Sequence, residues 1–293
     1  MIALPPVASL SEAWALGLER TISEPGGRLV HLVLTVTKPG LEIPAVRHVL
    51  DSALAHAGSQ DVDTVAETIF PSSLYPDPGF DWLPGIARDK ETDLDDAADS
   101  LYSSYCDILP MLRTVQANNK GTYFGRMITW PGKQAGGVNQ LADRVTALRR
   151  EHNAGRRTNN TLDVDLAADA VADTDVDADE MLKGLQVYAA TDRRTRSFPC
   201  LTHIDLTLHH GRLHCLAVYR HQYLIEKAYG NMVGLSALLH FLCQQSGYEP
   251  GELVVHATMA DAQRGFTGIA RLAADARSAL DTRSTVSTGA GAP

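Results

Sequence analysis

Paired cysteines, long apolar runs and clusters of basic residues are all missing from this chain. Its four cysteines, Cys106, Cys200, Cys215 and Cys243, lie far apart and form no CxxC pair. That spacing excludes a zinc ribbon and a disulfide scaffold, so a cysteine that matters here acts singly. No stretch of about eighteen apolar residues occurs, and residues 1–10 lack a basic segment followed by an apolar one. Neither a membrane span nor a secretory signal is expected, and the expected location is cytoplasmic. Lys and Arg number 26 against 35 Asp and Glu, for a formal charge of −9. Duplex binding draws on clustered basic side chains that release counterions. A broad nucleic-acid surface is therefore not expected, whereas a small anion held by a few local arginines is compatible.

What is present is a chain of 293 residues, 44% apolar, long enough to bury the core of an ordinary mixed α/β unit. One domain over residues 1–283 is expected, followed by a small polar tail, 284–293, that frays. Apolar positions at helical spacing mark helices over 10–21, 43–57, 93–115 and 138–150. Residues 62–70 continue the second of these or form a short one of their own. The break at Gly26-Gly27 precedes a β-rich run over 29–36. With four prolines and two aspartates, 71–85 reads as a surface loop. Further on, strands are expected over 185–189, 204–209 and 213–219, the last two as a hairpin around His210-Gly211. A buried helix over 234–245, a turn at Glu249-Pro250-Gly251 and a strand over 252–257 follow.

Residues 158–180 are dominated by alanine and aspartate, with almost no large apolar groups. So few apolar atoms cannot offset the entropy of ordering, and the segment reads as an exposed acidic insertion. The alternative is a divalent-cation site built from Asp163, Asp165, Asp173, Asp175 and Asp177. It has suitable oxygen ligands but lacks the calcium-loop spacing with its turn glycine and terminal glutamate.

The chemistry-bearing constellation starts at Cys200, which follows Phe198-Pro199 where a loop enters a strand. Arg220 stands twenty positions on, at the end of the hairpin's second strand. A hairpin returns the chain to its start, so thiol and guanidinium can approach one another. Taken alone, such a cysteine is equally a small buried hydrophobe. Pro199-Cys200, His210-Gly211, Arg220 and Asn231 together resemble thymidylate synthases and the related pyrimidine-nucleotide hydroxymethylases. That family places a Pro-Cys nucleophile, a strand, a short turn, a second strand ending in arginine, and an asparagine eleven residues later. The likeness covers about residues 196–261 and extends through Ala237-Leu238-Leu239-His240 and Glu249-Pro250-Gly251-Glu252. Weaker likenesses lie upstream, in Gly121-Thr122-Tyr123-Phe124-Gly125, Trp130-Pro131 and Asn139-Gln140-Leu141.

The resemblance implies an α+β fold with a large mixed β-sheet covered by helices, pairing back to back as a homodimer. It implies Cys200 as nucleophile and Glu67 as proton-managing carboxylate. Arg220, His221, Asn231 and Asp261 would contact the substrate, and Arg156 and Arg157 would reach the partner's substrate phosphate. Trp130 would line a site for 5,10-methylenetetrahydrofolate, and the substrate would be a pyrimidine nucleoside monophosphate. The residue types suit the chemistry. A thiolate adding to C6 of the ring makes C5 nucleophilic and splits one hard step into two easier ones. A nearby guanidinium favours the thiolate and grips phosphate bidentately. An asparagine can donate and accept at the ring carbonyl and N3. Each residue also has a plainer reading: an exposed helix carboxylate for Glu67, a surface salt bridge for Arg220, a helix N-cap for Asn231, and helix-end charges for Arg156 and Arg157.

The chain departs from the family pattern in places that concern phosphate, folate and sugar. Ser23-Glu24-Pro25-Gly26-Gly27 replaces an arginine-bearing phosphate loop, with Arg28 beyond the glycines. His221 stands for a serine, Tyr223 for the aspartate that holds the pterin, and Asp261 and Gln263 for a histidine and a tyrosine on the sugar. The tail 284–293 has no counterpart of the segment that closes over folate. The reading that results is C5 hydroxymethylation or methylation by a divergent member. The alternatives are a nucleotide-binding homologue acting as a sensor, or a folate-independent enzyme adding its thiol to another heterocycle.

Overall fold

The computed structural model describes residues 1–115, 118, 121–130, 137–154, 185–186 and 199–288, with side chains up to residue 282. The acidic insertion 158–180, Arg156, Arg157, Pro131, Phe198 and the end of the strand expected over 185–189 lie outside the described residues.

In chain order the elements are β1 (Ile2–Ala3), α1 (Leu10–Ile22), β2 (Arg28–Val36), α2 (Pro44–Ala57), α3 (Val62–Glu67), α4 (Arg88–Leu112), α5 (Tyr123–Ile128) and α6 (Gln140–Asn153). There follow β3 (Leu185–Gln186), β4 (Leu201–His209), β5 (Arg212–Tyr219), β6 (Gln222–Tyr223), a π-helical turn (Leu224–Ala228), α7 (Tyr229–Ser246), β7 (Glu249–Asp261) and α8 (Ile269–Thr288). Among the described residues the strands run in the order β1-β2-β7-β5-β4-β3, with β6 on β7. β1 is parallel to β2 and β6 to β7, while β2–β7 and β3–β4 are antiparallel. The fold is thus mixed helix and strand with a mixed sheet, the coarse class expected. No helix among the described residues is long and apolar enough to cross a membrane.

Several element bounds differ from the periodicity. β7 begins at Glu249, so the Glu249-Pro250-Gly251 turn lies inside a strand. Gly251 permits this, because a Cβ there would come within 2.8 Å of the His214 ring, and the Glu249 N–H donates to the Gly211 carbonyl at 3.3 Å. The chain reverses instead at Gly247, whose φ is +79°. α7 starts at Tyr229, before the expected 234, because the π turn feeds straight into it. α4 starts at Arg88, with Asp89 and Glu91 in the first turn complementing its N-terminal dipole. α8 was not expected at all. Its described part buries only Leu272 and Ala276, too little to show as a stripe, and it runs to Thr288, into the segment expected to fray.

The described residues fall into two compact units. One comprises residues from 1–66, 219–236 and 252–293, the other residues from 67–218 and 237–251. In the first unit α1 opens with a capping box, in which Ser9 and Glu12 satisfy each other's backbone N–H. Trp14 donates its indole N–H to the Leu224 carbonyl at 2.7 Å and meets Tyr229 edge to face at 5.7 Å. The Tyr229 hydroxyl bonds Ser11 Oγ at 2.8 Å, and that oxygen accepts from the Ile43 N–H at 2.7 Å. Polar atoms buried among apolar ones are thereby paired, as burial demands. Arg47 ties α2 to α3 through Asp63 at 2.8 Å and lies over the Tyr229 ring.

In the second unit the core is aromatic. Phe70 contacts Phe241 at 5.1 Å and Phe124 at 5.9 Å, and Tyr105 meets Phe124 edge to face at 4.8 Å. Beneath α4 and α6, Arg149 donates to both the backbone and side-chain oxygens of Gln245.

Candidate functional site

The thiol's position follows from the hairpin. His210 and Gly211 have φ of +50° and +78°, the two left-handed residues that a two-residue I′ turn requires. With the chain turned back there, Thr202 donates from Oγ1 to the Val218 carbonyl at 3.0 Å. Thr202 is two residues after Cys200, and Val218 two residues before Arg220. Cys200 sits just before β4 and is half-buried. It differs from Cys215 and Cys243, which are sealed in the core. Burial pushes the Cys215 thiol up to about 12 and that of Cys243 upward too, so both stay protonated and inert. Cys106 is exposed on α4.

Tyr123, the first residue of α5, is the neighbour of Cys200. Its hydroxyl accepts from the Leu201 N–H at 3.4 Å. Burial, reinforced by the charge of a Cys200 thiolate and opposed by backbone N–H groups of Leu201 and Cys200, pushes that hydroxyl up to about 12. It is therefore a neutral phenol at the thiol's side. Thr122 caps α5 by accepting from the Gly125 N–H at 3.1 Å and shares a short hydrogen bond with the Tyr105 hydroxyl.

Glu67 is joined to the same helix. The next residue, Thr68, accepts from the Phe124 N–H at 3.0 Å, so α5 links the segment carrying the carboxylate to the one carrying Tyr123. The Glu67 carboxylate accepts from the Ser73 N–H at 3.1 Å and from Ser73 Oγ at 2.7 Å. It is held by a loop rather than projecting from an exposed helix face. Burial pushes Tyr105 up to about 12, with Thr122 opposing and the Glu67 charge adding to it. Trp130 is half-buried and exchanges two backbone hydrogen bonds with Val138, at 2.9 and 2.8 Å.

Arg220, His221, Asn231 and Asp261 belong to the first unit. Arg220 is half-buried immediately after β5. Asp261 is 7% exposed and is a hub. Arg28 Nε donates to its Oδ2 at 3.0 Å, the Gln263 N–H donates to Oδ1 at 2.7 Å, and His221 Nε2 stands 3.7 Å from Oδ2. Arg28, the arginine displaced beyond the glycines, thus serves Asp261. Gln263 in turn accepts on Oε1 from the N–H groups of Ile225 and Glu226, capping the π turn. Asn231 is 4% exposed and is the third residue of α7. It is not the helix N-cap, so that plainer reading of it falls away.

Two residues of interest had no distinct signal in the sequence. Tyr123 stood inside a glycine-aromatic segment, but nothing in that pattern gives the direction of its hydroxyl. Gln222 is 2% exposed with neither amide atom hydrogen-bonded, which a two-residue strand cannot announce. Among the described residues no three His, Cys, Asp or Glu side chains gather as a metal site. No protein-family model matches the chain, and a search of curated proteins finds no match.

Proposed function

We propose that this protein is a thymidylate-synthase-like enzyme that adds a one-carbon group to C5 of a pyrimidine nucleoside monophosphate, with Cys200 as nucleophile. The observation that carries this reading is the two-residue turn at His210-Gly211, which folds β4 and β5 back on each other, with Thr202, two residues after Cys200, donating from Oγ1 to the Val218 carbonyl. The half-burial of Cys200 supports it too, since a nucleophile needs both access and partial shielding from water.

In this mechanism the Cys200 thiolate attacks C6, and the electron pair of the C5–C6 bond moves onto the ring carbonyl as an enolate. Asn231 orients the base and receives developing charge at its carbonyl. Arg220 holds the phosphate, with Arg156 and Arg157 of a second copy completing the anion site and Asp261 and His221 near the sugar. Glu67 and Tyr123 move protons at the ring. Once C5 has acquired its new bond and lost its proton, the thiolate leaves and the ring is restored. Methylenetetrahydrofolate would supply the one-carbon unit, its carbon–nitrogen bond breaking as water adds for a hydroxymethyl product or as the reduced folate gives a hydride for a methyl product. At the position implied to hold its pterin stands Tyr223, 43% exposed and edge-on to His221 at 4.7 Å, which offers an aromatic face and no carboxylate.

A homodimer is part of the proposal. In each unit the strands alternate buried and half-exposed residues, with Val33, Thr35, Val254 and His256 on one side in the first and His214, Leu216 and Val218 in the second. Such faces suit pairing with a second copy. Sedimentation that finds only monomer at assay concentrations removes this part.

The test is incubation with UMP, dUMP, CMP and dCMP plus methylenetetrahydrofolate, following mass gain and release of tritium from C5. One of the four is expected to react, and Cys200→Ser to abolish both signals while nucleotide binding survives. No product and no release with any of them overturns the reading. Binding without either signal identifies instead a nucleotide-binding homologue.

A further inference from the structure

β2 and β7 of the first unit carry a pair of histidines that the pyrimidine chemistry does not use. Nδ1 of His31 and Nε2 of His256 stand 3.0 Å apart, with ring centroids at 5.2 Å and planes inclined by 31°. The two are not cross-strand partners. His256 pairs with Val33, and His31 is passed over by a ladder that runs from Val30↔Met259 to Leu32↔Ala257 without a change of register. His31 therefore meets His256 along a diagonal, from a backbone that departs from the strand. Its φ of +56° is the one left-handed value in β2, and the buried side chains change phase across it, from Leu29 to Leu32. Turning the strand's faces over asks only for a glycine, yet the position bears an imidazole set against a second one. Strain of this kind gathers where side chains are held for a ligand.

Both rings are half-buried, neither of them sealed in the core. As a hydrogen-bonded pair, one ring donates to the other. When each carries its proton on the opposite nitrogen, both lone pairs turn into the space between the rings. Burial, helped by His31, holds the His256 imidazole below its ordinary value, which keeps it in the neutral form that ligates a metal. The spacing then selects the ion. Nitrogens 3.0 Å apart, each about 2.0–2.1 Å from a shared ion, subtend about 90–100° there, whereas a tetrahedral ion would hold them about 3.4 Å apart. The narrower angle is that of neighbouring ligands in a tetragonal or octahedral site, and imidazole suits the late first-row ions that form one.

We infer that His31 and His256 form a two-imidazole chelate for a divalent late transition metal, Ni²⁺ or Cu²⁺, that staples β2 to β7, with water at the remaining positions. Mg²⁺ and Ca²⁺ seek oxygen ligands, and the pair offers them none. The inference is independent of the pyrimidine chemistry.

The test is calorimetric titration of the full chain with Ni²⁺, a probe that leaves the thiols unoxidised, against Zn²⁺ and Mg²⁺. A saturable Ni²⁺ site that binds Zn²⁺ less tightly and Mg²⁺ not at all is expected, and Ni²⁺ should raise the melting temperature of the parent. His31→Asn and His256→Gln are each expected to weaken Ni²⁺ binding about a hundredfold, because a single imidazole loses the advantage of two linked donors, and to remove the thermal shift. Asparagine is the choice at position 31 because it tolerates a left-handed backbone. Should that variant fail to fold, His256→Gln decides alone. His56→Gln, which alters an exposed histidine of α2, should bind as the parent does. Absence of a saturable Ni²⁺ site, tighter binding of Zn²⁺ than of Ni²⁺, or undiminished binding by His256→Gln overturns the inference.

Discussion

At the residue scale the chain's chemistry turns on which side chains are sealed and which are reachable. Three of its cysteines lie on α4, β5 and α7, and only Cys200 sits at a strand entrance with the half-buried Tyr123 beside it. Tyr123→Phe is the informative substitution there. If the hydroxyl works on the proton traffic around Cys200, its loss lowers kcat by about 100-fold or more, with KM for the nucleotide little changed. A steady-state comparison that moves KM alone would mark Tyr123 as a binding residue instead. The hairpin between Cys200 and Arg220 was legible because its turn at His210-Gly211 is a local signal, and the structure has that turn. Tyr123 and Gln222 were not. Their interest lies in where one polar atom points, and that depends on packing from segments far away in the chain.

At the element scale, local signals that involve neighbouring residues read correctly, and those that depend on distant ones did not. The helix at 10–21 was legible because its stop at Gly26-Gly27 and its apolar stripe are local. Its capping box makes a measurable prediction: Ser9→Ala removes the acceptor for the Glu12 N–H and costs about 1 kcal/mol, read as a shift in the denaturation midpoint. The turn near 249–251 was misplaced because Pro and Gly look alike in a turn and in a strand that a neighbour crowds. Gly247 is where the backbone needs glycine. Its φ of +79° is unfavourable for any L side chain, and a Cβ there would collide with the Trp82 carbonyl oxygen. Gly247→Ala is expected to cost about 2 kcal/mol or more; an unchanged melting temperature would remove that account of the turn.

At the scale of the whole molecule, stability should fall on mild acidification. Burial, helped by His31, holds His256 below the ordinary imidazole value of 6.5, and burial holds His203 below it with Asp205 opposing. Both are more easily protonated when unfolded. The native state therefore keeps its full advantage above about 6.5 and loses it progressively as pH falls from there toward their folded values. Melting temperatures followed downward from neutral pH should show this decline, and a His203→Gln, His256→Gln double variant should flatten it. A parent protein with no slope in that window would contradict the assignment.

Composition and spacing alone determined that this chain mixes helix with strand, carries net negative charge, and has a Pro-Cys thiol at the head of a hairpin whose far end bears an arginine. These are properties of near neighbours, governed by backbone periodicity and turn geometry. Only the tertiary structure decided which thiols are sealed, that Asp261 is a hub for Arg28, His221 and Gln263, that Asn231 lies inside its helix, and that the Tyr102 hydroxyl is buried without a hydrogen-bond partner. Each of those depends on desolvation and contact between residues remote in the chain, and local sequence does not encode which remote residue arrives.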